Sequence, residues 1–306
     1  MGDVHPYYVR VPEEGSGQVE AWSGYPLQFG GQRRFAWQDD MAAGLRQALA
    51  GLPVTSGVVL AGTYLSTDRV RCDVENRLFT NLGASSFPKW LTGIRFERGV
   101  GLPPPAPVPV DRAGEHVYYY RYRLGGGWQS WENAGLLARW HRVTRRMNDD
   151  QSCRPVWLAM KTGAAAGQVE VLAPAPAADT PLGVRVIVHA SFRGPRQAAA
   201  ISETMIDGII AAFHAGLGHG PLAATVAEAL APRLPGMTTS DIQTLVAGSV
   251  PGPLFTSPAF TVKGTYVQIS PCDDRLQVGE VTIEPDAQGE FPQISGELFV
   301  LRPIAA

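Results

Sequence analysis

Two carboxylates and an amide fall close together at Asp73, Glu75 and Asn76, inside the stretch Arg69-Val-Arg-Cys-Asp73-Val-Glu75-Asn76-Arg77-Leu-Phe-Thr-Asn81. On an extended segment alternate side chains point the same way, so Asp73 and Glu75 can face one hard divalent cation with Asn76 in support. A cation held there would serve phosphoryl transfer. A second reading needs no ligand: Asp73 satisfies the free amides at a helix start and Glu75 favours its dipole. The residue types allow both, and a third ligand would separate them.

The flanking pattern says what must position these acids. Apolar and polar residues alternate over 7–11 and 18–22, which predicts short half-buried strands. Met41, Leu45, Leu49 and Leu52 recur at helical spacing over 37–52, with Asp39 and Asp40 near the start and Gly51 near the stop. The apolar run 56–65 predicts a buried strand that delivers the chain to Asp73. The Pro-rich run 101–110 predicts a stiff polyproline II connector and a boundary, followed by a strand over 117–124, a glycine turn at Gly125 to Gly127 and a helix over 132–147. A second soft stretch over 173–181 separates a strand over 168–172 from another over 183–192, and a helix over 201–215 follows. Strands over 260–269, 276–283 and 296–301 end the chain, with an acidic corner at Asp273 and Asp274 between the first two.

These elements predict an α+β fold of two similar α/β halves, each a small mixed sheet with packed helices. Residues 1–100 form the first half with the acidic motif, 101–181 the connector and an Arg- and aromatic-rich segment, and 182–306 the second half. A strand followed by an acid-bearing helix recurs in both halves, which points to tandem duplication.

The order strand, Asp73-x-Glu75-Asn76, helix resembles the Asp-x-Asp-Asn signature of RusA-type Holliday junction resolvases. That resemblance implies a small α/β nuclease using magnesium. It covers residues 33–82 and, more faintly, 184–284, where Asp273 and Asp274 precede a strand as an acidic pair does in that family. There the pair comes shortly after the first motif. Here it lies about two hundred residues on, so a complete metal site of Asp73, Glu75 and Asp273 or Asp274 needs the two halves to meet. The nearest cation to the motif is Arg77.

Arg121, Arg123, Arg139, Arg142, Arg145 and Arg146 are interleaved with aromatic residues that include Trp128 and Trp131. Guanidinium groups pair with phosphates and aromatic faces stack on bases, so this segment is the candidate nucleic-acid surface, for DNA or RNA. Its structural alternative is strand packing with arginines near a helix end. No His-Glu-x-x-His, Gly-x-Ser-x-Gly or phosphate-loop pattern occurs. The net charge of -2 excludes a whole-protein cationic surface. Cys72, Cys153 and Cys272 are widely spaced, which argues against a disulfide framework or zinc site and for a reducing cytoplasm. No apolar run is long enough to span a bilayer. The competing class is a non-catalytic subunit, with a protein partner or a second copy of the chain.

Overall fold

Alternation along one strand sets the two faces of the sheet. In Tyr118–Leu124, Tyr120 and Tyr122 are fully buried, while Arg121 and Arg123 point the other way. The computed structural model describes residues 5–11, 17–53, 57–68, 70–88, 91–110, 116–145, 152–190, 198–263, 266–286 and 291–305. In chain order the elements are β1 (Tyr7–Arg10), β2 (Gln18–Ser23), α1 (Trp37–Ala50), β3 (Val59–Ser66), a π-helical turn (Asn76–Thr80), β4 (Gly93–Arg98) and β5 (Tyr118–Leu124). There follow β6 (Trp131–Thr144), α2 (Arg154–Ala165), β7 (Val169–Val171), β8 (Leu182–Ala190), α3 (Ala198–Ala212), β9 (His214–Ala215), α4 (Pro221–Leu230) and α5 (Thr239–Ala247). Last come β10 (Phe255–Pro258), β11 (Phe260–Lys263), β12 (Tyr266–Ile269), a 3-10 turn (Asp273–Arg275), β13 (Leu276–Pro285) and β14 (Gln293–Pro303).

The fold is α+β. Ten strands form one mixed sheet in the order β1-β2-β5-β3-β4-β13-β8-β14-β6-β7. Its two inner halves are built alike. Both β2-β5-β3-β4 and β6-β14-β8-β13 run antiparallel, antiparallel, parallel, and they join through the antiparallel β4–β13 pair. The match extends to register. Arg95 faces Glu280 across the join; outward from it Arg95 faces Ala61, which faces Arg123, while Glu280 faces Arg185, which faces Glu297. A pseudo-twofold axis therefore passes between β4 and β13, and α1 and the Asn76–Thr80 turn hold the places in one half that α2 and α3 hold in the other.

The main core lies on the helix-bearing face. Met41, Leu45 and Leu49 of α1 are fully buried, as the helical spacing requires, and α3 buries Ile201, Met205, Ile206, Ile209 and Ile210. Two glycines let these layers close. A Cβ on Gly62 of β3 would sit 3.2 Å from Leu78 and 3.3 Å from Phe79, so its absence seats the acidic turn on the sheet. A Cβ on Gly208 of α3 would meet the Cys153 carbonyl at 2.5 Å and Val156 at 2.6 Å, so α2 and α3 pack backbone to backbone. On the opposite face Val278, Phe299 and Leu301 form a smaller apolar cluster under Trp128 and Trp131.

Three expectations are corrected. The helix over 132–147 is the long strand β6, in which Ala138 and Trp140 face the core while Arg139 faces out, and a bulge against β14 returns Val143 to the core. The Pro-rich connector does not end the sheet: β5 follows it and inserts between β2 and β3, so the first matched set of strands runs to residue 124. The single strand over 260–269 is the β11–β12 hairpin. Helices α2, α4 and α5 were not foreseen. Among the described residues no helix is long and apolar enough to cross a membrane.

Candidate functional site

Asp73 sits where β3 has ended and the helical turn begins, and it does the capping work that its position allows. Its carboxylate accepts from the Asn76 backbone amide at 3.0 Å and from the Asn76 side-chain amide. It does not stop there. Asp273, from the 3-10 turn before β13, donates a hydrogen bond to Asp73, so acids about two hundred residues apart in sequence meet. The two roles are compatible because a carboxylate has lone pairs on both oxygens.

Glu75 is 3% exposed and accepts from the hydroxyls of Thr80, at 2.9 Å, and Ser202. The Thr80 hydroxyl also lies 3.4 Å from a Glu203 oxygen. Glu203 and Asp207 stand one turn apart on α3, so they share a side of the helix, the side left over by its apolar face. The π-helical turn and α3 thus face each other across the pseudo-twofold axis with acids from both.

Burial and mutual repulsion mark these carboxyls. Burial pushes Glu75 well above the usual carboxylate range, with Asp73 adding to it. Burial, then the charges of Asp73 and Glu203, push Asp207 up to about 8. Asp273 is raised by burial, by Asp73 and Asp207, and by the hydrogen bond it donates; Asp73 and Glu203 are raised chiefly by burial. Among the described residues no Lys, Arg or His forms an ion pair with any of them. Asp73 and Asp273 act on each other, so the two carboxyls titrate as a pair.

Two clefts open beside this cluster and share Glu203. One, of about 480 Å³, is lined by Asp73, Asn76, Arg77 and Thr80 together with Phe29 and Arg71. The other, of about 500 Å³, is lined by Asp207, Cys153, Arg154, Arg233 and the β12 residues from Tyr266. Arg77 donates to the Leu27 carbonyl at 3.2 Å, which fixes it at the wall of the first cleft. Cys72 and Cys153 line the clefts as thiols: burial raises both, Cys153 to about 12, so neither is a nucleophile at neutral pH.

The donor types suit a hard cation, yet among the described residues no group of three or more His, Cys, Asp or Glu is arranged to hold a metal ion. Asp274, the other half of the acidic corner, is not among the principal groups that act on the Asp73 and Asp273 carboxyls. Glu203, Asp207 and Thr80, which line the clefts, and the buried Ser202 behind them were missed. The signal was present in the Glu203 and Asp207 spacing of four on an otherwise apolar helix.

The Arg-rich segment lies elsewhere. Arg121 donates to Thr63 at 3.1 Å and to Gln129, Arg123 to the Gly127 carbonyl at 2.8 Å, Arg139 pairs with Glu170 at 2.7 Å and Arg142 with Asp286 at 2.7 Å. Arg145 is buried and bonded, its backbone amide donating to the Pro292 carbonyl at 2.9 Å. Trp128 lies over Arg185 and against Phe299, and Trp131 packs on the same small cluster. Arg146 falls outside the described residues. Comparisons of the chain with protein-family models, with curated proteins and with solved structures gave no match.

Proposed function

We propose that this chain acts on nucleic acid as a magnesium-dependent nuclease of the RusA-resolvase type, built from two matched halves that arose by tandem duplication. The observation that carries the reading is the meeting of Asp73 with Asp273 beside Asp207 and Glu203, without a cationic partner among the described residues. Crowding buried carboxyls costs stability, and groups kept in that condition in a cleft are candidates for chemistry. Asp73, Asp273 and Asp207 would be the residues to hold the cation. Bound magnesium supplies an acidified water and offsets phosphate charge.

The chain's own residues do the positioning. Asn76 fixes the Asp73 carboxylate, Ser202 and Thr80 fix Glu75, and Arg77 stands at the cleft wall where a phosphate would enter. The three free cysteines fit a reducing cytoplasm.

The second reading is a non-catalytic nucleic-acid-binding or structural subunit of a larger bacterial complex, joined to a protein partner or to its own copy. The lack of a three-ligand group among the described residues favours it. Incubation with branched and linear DNA and with RNA, plus magnesium or manganese, separates the two. The nuclease reading expects cleavage that Asp73→Asn and Asp273→Asn each reduce by about a hundredfold or more, without loss of folded protein. Cleavage that is absent, or unchanged in both variants, would leave the subunit.

A further inference from the structure

Outside the acids, the two clefts have the same make-up. The first offers Phe29 and Arg71, and the second Tyr266 and Arg233, with Glu203 common to both. Phe29 and Tyr266 are each 55% exposed, so their faces are open to a ligand in the cleft. Arg233 is exposed and makes no hydrogen bond or ion pair among the described residues, whereas Arg95, Arg139 and Arg185 of the open sheet face are tied to carboxylates. The Arg71 guanidinium is held by the Ala178 carbonyl at 3.1 Å, so it is pointed rather than free to sweep. Equivalent walls build the clefts: the approach to α1 and the acidic turn form one, the start of α2 and α3 the other.

From this geometry we infer that the two clefts form one trough for unpaired nucleic acid, with a base stacked on Phe29 at one end, a base stacked on Tyr266 at the other, and Arg71 and Arg233 on the phosphates. This names the substrate class of the proposed nuclease and rests on that reading for the cation at the acids and the position of the scissile phosphate. Aromatic faces bind bases only where these are released from a duplex, and such stacking tolerates any sequence. Each cleft has the volume of an ordinary small-ligand pocket, which suits a nucleotide rather than a helix. The carboxyls in the middle repel a phosphate unless a divalent cation lies among them, so the strand and the cation bind together.

The test uses the full chain, fluorescence anisotropy and a labelled oligothymidylate, against a hairpin duplex of equal charge, with calcium replacing magnesium to hold cleavage off. Single strand should bind at least tenfold tighter than duplex. Phe29→Ala and Tyr266→Ala should each weaken single-strand binding by about tenfold, Tyr266→Phe should not, and Arg233→Gln should reduce the salt dependence. All these positions are exposed or partly exposed, and unchanged thermal unfolding checks that the variants are folded. Duplex bound as tightly as single strand, or both alanine variants binding like the parent, would overturn the inference. Stacking losses in the alanine variants without any cation-dependent cleavage would support it while removing the nuclease reading, so the two fail separately.

Discussion

The two faces of the sheet treat acidic residues in opposite ways. On the open face, one row of register-matched positions alternates in charge across strands: Arg95, Glu280, Arg185, Glu297, Arg139 and Glu170. Arg95 meets Glu280 at 2.6 Å, Arg185 bridges Glu280 and Glu297, and Arg139 meets Glu170 at 2.7 Å. On the helix-bearing face, Asp73, Glu75, Glu203, Asp207 and Asp273 crowd together, held by hydroxyls and an amide rather than by cations among the described residues. Cross-strand charge pairs contribute modestly to the sheet, while crowded buried acids detract from it. The first face is explained by stability alone. The second is not.

The largest signature of that contrast is in pH. Asp207 is raised from 3.8 to about 8 in the fold. A carboxyl raised above its unfolded value holds its proton more tightly when folded, so between those values the native state binds more protons than the unfolded one. Stability is therefore greatest below about pH 4 for this group and is lost as pH rises toward 8. A loss on the order of 3 kcal/mol is expected over that window, from about 1.4 kcal/mol for each pH unit it spans, reduced by the water that reaches the side chain. Urea unfolding at successive pH values measures it. Asp207→Asn should flatten the curve; equal slopes in the variant and the parent would remove Asp207 from the explanation.

A divalent cation should repair the same loss. Magnesium competes with protons, so its effect on the unfolding temperature should be small near pH 5 and grow toward pH 8.5, reaching about 2.7 kcal/mol at a hundredfold excess over its dissociation constant. Asp273→Asn should abolish that growth. A shift of equal size at both pH values would mean that the ion binds somewhere other than the crowded acids.

Much of this contrast is legible in the sequence. The first-half strands and α1 announced themselves because their periodicity is strong, whereas the acidic corner at Asp273 was singled out by the family resemblance, and its meeting with Asp73 was not readable from the sequence. What stayed hidden was non-local. The alternation over β6 is broken by bulges against β14, so Leu136, Leu137 and Val143 mimic a helical stripe. The arginines on that stretch looked available for phosphate because sequence does not say that Glu170 and Asp286 stand opposite them. Glu203 and Asp207 stayed hidden for the converse reason: their meaning depends on the turn they face.

The paired face yields the next test. Glu280 is 8% exposed and answers two guanidinium groups, so Glu280→Gln leaves Arg95 and Arg185 short of a charge in partly dry surroundings. A loss of about 1–2 kcal/mol is expected at neutral pH, the opposite sign from Asp207→Asn above about pH 8. Chemical unfolding of both variants at one pH makes the comparison direct. A stabilising Glu280→Gln would mean that the open-face acids are also held against their electrostatics.

Within the same row, exposure should grade the effect. Arg139 and Glu170 pair at 2.7 Å, but their side chains are 63% and 53% exposed, and water screens them on the outermost strand of the sheet. Glu170→Gln should therefore change stability by no more than about 0.5 kcal/mol and lose even that at high salt. A loss at Glu170 as large as at Glu280 would show that the row acts as one cooperative network whose outer pair holds the inner ones. Independence would show that each pair is local, and that the alternation across the strands reflects register alone.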